Sequence, residues 1–109
     1  MANNKERDAR YHYEKVVNDA SRPLEQAQAF VALGDLEGSG RGSRAFSYYH
    51  QALRLDPSHI SAWENLVVIL RAQKKYVLAR KYLSSLQRVK EALEKGEPVP
   101  SEVLNVLAQ

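Results

Sequence analysis

Ala45 and Ala79 stand thirty-four residues apart, and each opens the same pattern at offsets zero, four and seven: Ala45, Tyr49, Ala52 and then Ala79, Leu83, Leu86. Those offsets place three side chains on one face of an α-helix. The triplet occurs a third time as Ala9, Tyr13 and Val16. A helix that recurs at a fixed period is one part of a supersecondary unit, and such units bury their apolar faces only by stacking on their neighbours. The chain is therefore expected to be all-α, with helices packed in series.

The residues around the triplets sharpen the pattern. Trp63, Leu66 and Tyr76 precede the copy at Ala79, and Leu53-Arg54-Leu55-Asp56-Pro57-Ser58 separates the two later copies. Small residues let two helices approach closely, and a large aromatic of one fills the gap left by the other. Read together, residues 45–86 resemble a tetratricopeptide repeat, a helix-turn-helix unit with an aromatic, a Leu, a Tyr, an Ala, a second aromatic and a closing Pro at set positions. Ala29, Phe30, Leu33 and Gly34 resemble the aromatic and Leu-Gly positions of such a repeat. The resemblance implies an α-α superhelix of five helices plus a short C-terminal helix. It covers most of residues 9–95 and is strongest over 43–86. It departs at Gly42, where the family places a Tyr, and in the spacing from Leu33 to Ala45, twelve residues against thirteen from Leu66 to Ala79.

The expected organisation is a single domain over 1–109: a first helix at 5–20, a first repeat at 23–57, a second at 58–95 and a capping helix at 101–108. The first helix, with Ala9, Tyr13, Val16, Val17 and Ala20 on its apolar side, reads as the second half of a repeat whose first half is missing. Pro23 starts the next helix, because proline is tolerated in a first turn and restrains the residue before it. Asp56-Pro57 closes the third helix, and Ser58 is the expected cap of the fourth. The fifth runs from Lys75 or Tyr76 to Gly96, and Ser101 is expected to cap a last amphipathic helix that folds back over the second repeat. Gly38-Ser39-Gly40-Arg41-Gly42-Ser43 reads as a flexible interhelical turn with Ser43 as a cap. It has neither the Gly-Lys-Ser/Thr ending nor the preceding strand of a phosphate-binding loop.

Composition narrows the chemistry. The chain has 109 residues and no Cys, which excludes disulfides, thiolate zinc sites and thiol nucleophiles. Residues 1–10 lack an apolar leader core and no apolar run approaches a membrane span, so a soluble, unprocessed cytoplasmic protein is expected. His12, His50 and His59 fall in three different predicted helices without metal-ligand spacing. Asp56, Ser58 and His59 supply the letters of a hydrolase triad, but residues so close in a turn do not converge on one reacting atom. Asp35 and Glu37 sit beside glycines at a helix end with no sign of burial. No enzymatic constellation, metal or cofactor is expected.

Two surfaces remain. The resemblance implies a groove lined by the first helix of each repeat, which carries over to Gln28, Val31 and Asp35, and then to Ser61, Glu64, Asn65, Val68 and Arg71. Asn65 stands where related repeats hydrogen-bond a peptide backbone. A carboxylate clamp is not supported, since Val31 and Asp35 occupy its preceding positions. The second surface is a basic band. Residues 65–90 carry seven Lys or Arg and no Asp or Glu, namely Arg71, Lys74, Lys75, Arg80, Lys81, Arg88 and Lys90. Such a band either attracts an acidic partner or simply fills a solvated helix face. The reading is a non-enzymatic protein-interaction module, a scaffold, adaptor or chaperone-like protein, that takes a partner segment in its groove. The alternatives are a homodimer completed through the first and last helices and, behind it, a nucleic-acid-binding protein using the band 71–90.

Overall fold

A computed structural model describes residues 4–37 and 43–108. Among the described residues it is all-α, with six helices and no strand: α1 Asn4–Val17, α2 Pro23–Leu36, α3 Ser43–Leu55, α4 Ile60–Ala72, α5 Tyr76–Glu94, and a 3-10 helix Ser101–Ala108. The helices pack in chain order. α2 lies on both α1 and α3, and α4 on both α3 and α5. Of the expected turn at 38–43, residues 38–42 lie outside the described residues, and α3 begins at Ser43.

Aspartates make two of the connections. Asp19 accepts from the Ser21 amide at 3.0 Å and its hydroxyl at 2.6 Å. Asp56 accepts the same pair from Ser58, at 3.1 and 2.6 Å. An aspartate that binds the backbone two residues on holds a tight turn without a glycine. Because Ser58 is engaged with Asp56, it does not cap α4. That position falls to His59, whose side chain makes no cap hydrogen bond. The first helix likewise ends at Val17 rather than reaching Ala20, since Asp19 is drawn into its own turn. Gln26 then ties the two helices, donating from Nε2 to the Val17 carbonyl at 2.7 Å.

The triplet residues face inward. Ala45, Tyr49 and Ala52 of α3 and Ala79 and Leu86 of α5 are buried, and Leu83 is partly buried against the same core. Trp63 sits at the centre, fully buried, edge-on to Tyr82 at 6.0 Å and donating its indole N–H to the Pro57 carbonyl at 2.8 Å. That one bond removes the cost of burying an indole nitrogen while the ring fills the interior.

Two helix ends share one geometry. After α4, the Lys75 amide reaches back to the Leu70 carbonyl at 2.9 Å and Lys74 takes φ 61°. After α5, the Glu97 amide reaches the Ala92 carbonyl at 2.8 Å and Gly96 takes φ 67°. Both are the left-handed C-terminal motif that glycine favours. Only the second uses glycine.

The last element is more tightly wound, and wider in reach, than the helices before it. It is a 3-10 helix, and it packs on α5 and also on α3, burying Val103, Val106 and Leu107. It therefore seals a seam shared by both hairpins.

Candidate functional site

The residues expected to line one groove fall in different surroundings. Val31 is buried in the core. Asp35 is exposed, but its Oδ1 accepts the Tyr49 hydroxyl at 2.6 Å across the α2/α3 hairpin. Gln28 is exposed and lines an open groove of about 430 Å³ whose walls come from α1 and α2 alone: His12, Tyr13, Val16, Glu25, Ala29 and Ala32 complete it. On α4, Glu64, Val68 and Arg71 are exposed at helical spacing, with Asn65 half-buried beside them. Val68 is 56% exposed.

The α1/α2 groove follows from what α1 lacks. Each of α3 and α5 packs against the helix that precedes it; α1 packs on α2 and buries no residue at all. Tyr13, Val16 and Val17 are only half-buried, and Tyr11 is 62% exposed. Small side chains at Ala29 and Ala32 leave the floor of the groove low, so a third helix or an extended segment can approach the α2 backbone. A neighbouring depression lined by Lys15, Asp19, Arg22 and Glu25 gives its end a mixed-charge rim. The sequence pattern named this half-repeat but not its groove; the signal was the Ala9, Tyr13, Val16 triplet with nothing to pair with.

Charge is less evenly spread than the linear count suggests. Arg88 leaves the basic band, because its guanidinium pairs with Glu102 of the 3-10 helix at 3.1 Å. Arg71, Lys74, Lys75, Arg80, Lys81 and Lys90 are exposed. Glu37 is set apart from Asp35 by its surroundings. Its side chain is only 17% exposed, held between Arg10 of α1 at 3.8 Å and Arg44 of α3 at 3.4 Å. It ties three helices together, a role that arginines distant in sequence create.

The titratable groups with displaced equilibria are structural. Burial, then the hydrogen bond and charge of Asp35, raises the Tyr49 phenol well above its ordinary range, and burial raises Tyr82. Burial, then the Arg54 charge, lowers His50, against the opposing effect of a hydrogen bond to the Leu107 backbone. His50 stacks on Phe46 with centroids 5.8 Å apart, beside a cleft of about 410 Å³ between α3 and the 3-10 helix. His12 stands edge-on to Tyr13 in the α1/α2 groove. No group of three or more His, Asp or Glu among the described residues is placed to hold a metal ion. No helix among them is long and apolar enough to cross a membrane. No family model matches the chain, and no curated protein or solved structure matches it significantly.

Proposed function

We propose that this chain is a non-enzymatic protein-interaction module of tetratricopeptide type, acting as a scaffold, adaptor or chaperone-like protein in the cytoplasm, with a partner segment seated in the groove of its first helices. The observation that carries this reading is α1. It is a 14-residue helix with no buried residue, beside an open groove of about 430 Å³ that includes Gln28. A short, polar helix is marginal in water; α1 is supported on one side by α2, and a partner segment laid along Tyr13, Val16 and Ala32 would cover its other side. Helix-in-groove recognition works through apolar anchors of this kind. The exposed face of Glu64, Asn65, Val68 and Arg71 on α4 would extend the contact.

The test is affinity capture from the native cell extract with the wild-type chain, with Gln28→Arg/Ala32→Arg, and with Asn65→Ala/Val68→Arg/Arg71→Ala. Loss of one specific protein in the first variant supports the groove, and its loss in both places the α4 face in the same interface. Recovery unchanged by either variant removes the reading. Self-association is the second reading, favoured by the exposure of Tyr11 and Leu24, 62% and 63%, on the same two helices. Light scattering over a range of concentrations decides it, since a constant monomer mass rejects a homodimer.

A further inference from the structure

The turn between α4 and α5 carries cations that no carboxylate among the described residues engages. Arg71 lies in the last turn of α4, Lys74 and Lys75 form the connection, and Arg80 and Lys81 stand one turn into α5. All five are exposed, and no ion pair among the described residues involves any of them. Among them Tyr76 and Val77 are 60% and 61% exposed. An exposed apolar pair flanked along the chain by exposed cations has the composition of a binding surface, where the centre is desolvated and the rim steers encounter.

The backbone adds a second observation. Lys74 holds φ 61° in the motif that α5 builds with Gly96 at φ 67°. A side chain in that conformation costs stability that glycine would not. Here the costly residue is also a cation at the tip of the hairpin. Strain kept at one position while its counterpart is relaxed points to use of the side chain.

Charge decides what fits. The cluster is bounded by carboxylates, Glu64 earlier on α4 and Glu91 and Glu94 at the far end of α5. A long phosphate backbone leaving the turn along either helix would meet them; a compact group of acids would not. We propose that the α4–α5 turn docks a short acidic segment of a partner protein, its carboxylates on the five cations and an apolar side chain over Tyr76 and Val77. This surface shares Arg71 with the α4 face but lies apart from the α1/α2 groove, and its other four cations do not depend on that groove.

The probe is a short fluorescein-labelled peptide with glutamates around a central Leu-Phe pair, titrated with the full chain and read by anisotropy. The wild type is expected to bind at about 0.05 M salt and to weaken steeply by about 0.5 M. Lys75→Glu/Arg80→Glu/Lys81→Glu should lose about tenfold or more, and Tyr76→Ser about threefold with the salt slope unchanged. Lys74→Gly is the decisive variant: weaker binding with an equal or higher melting temperature supports a functional lysine. Ala32→Arg should bind the peptide normally; if it does not, the peptide occupies the α1/α2 groove and this inference falls while that groove gains. The inference is also overturned by no binding at low salt, by unchanged affinity in the charge-reversed variant, or by tighter binding of an oligothymidine than of the peptide.

Discussion

The hairpin α2/α3 and the hairpin α4/α5 solve one packing problem with opposite means. In the first, Gly34 gives way to Tyr49: a Cβ built on Gly34 would stand 2.7 Å from the tyrosine ring. The ring's hydroxyl then reaches Asp35 at 2.6 Å. In the second, the corresponding sequence positions are Val67 and Leu83, two medium side chains with no polar atom. Its aromatic volume sits elsewhere, in Trp63 and Tyr82, both fully buried. Phe30, the counterpart of Trp63, is only partly buried against the core. The first hairpin is therefore closed by one close approach and one hydrogen bond, and the second by bulk. This follows from their neighbours. The second is packed by α3 on one side and covered by the 3-10 helix on another, whereas the first is flanked by α1, which contributes no buried residue.

The largest expected effect breaks the second hairpin. Trp63→Ala removes a fully buried indole and its bond to Pro57, and should cost about 3–5 kcal/mol, read from the midpoint of chemical denaturation. Phe30→Ala should cost clearly less. Equal losses would mean that the two hairpins bury their aromatics alike, contrary to the exposure difference.

Converting one hairpin toward the other sharpens the comparison. Gly34→Val alone drives a side chain into the Tyr49 ring and should cost about 1–3 kcal/mol, as overpacking does. Adding Tyr49→Leu reproduces the Val67 and Leu83 pair and should recover part of that loss, a coupling that a double-mutant cycle measures. Purely additive losses would show that the glycine answers some other constraint.

A smaller effect isolates the polar contact. Tyr49→Phe keeps the ring over Gly34 and deletes the hydroxyl, for about 0.5–1.5 kcal/mol. It should also change the alkaline limb. The phenol is raised by burial and by Asp35, so the folded state holds its proton more tightly than the unfolded chain. That contribution is complete below the ordinary tyrosine value of 10.0 and is lost as pH climbs above it. Stability should therefore fall less steeply above that pH in Tyr49→Phe than in wild type, though Tyr82 leaves a residual slope.

How far these differences were legible depends on the range of the interaction. The bounds of α2 and α3 followed from Pro23 and from Asp56-Pro57, because prolines and turn aspartates act within a few residues. The fourth helix was displaced by one residue for the same kind of reason seen from the other side, since Asp56 competes for Ser58. Nothing local announces that Arg10 and Arg44 converge on Glu37, or that Val31 turns into the core while Gln28 faces a groove. The helix faces were visible in the periodicity; which faces a neighbour leaves uncovered was not. Nor does the count of charges show that Arg88 is spoken for by Glu102 while Lys74 and Lys75 are not. The repeated Asp-x-Ser of the two turns, Asp19 to Ser21 and Asp56 to Ser58, was readable throughout. It marks the α1–α2 and α3–α4 connections as equivalents.

The smallest expected effect tests the seam that joins the hairpins. His50 of α3 stacks on Phe46, and the hydrogen bond between its side chain and the Leu107 backbone links α3 to the 3-10 helix that also covers α5. Burial, and after it the Arg54 charge, lowers its affinity for a proton. The folded state thus binds that proton less readily than the unfolded chain does. Its contribution is complete above the ordinary histidine value of 6.5 and is lost as pH falls below it. Acidification through that range should lower the melting temperature by a few degrees at most for a domain of this size. Hydrogen exchange should rise first in the amides of Val103 to Leu107, before those of α4, because the seam opens without the Trp63 core. His50→Gln should flatten this acid limb. An acid limb unchanged by that substitution would assign it to other groups and leave the seam independent of pH.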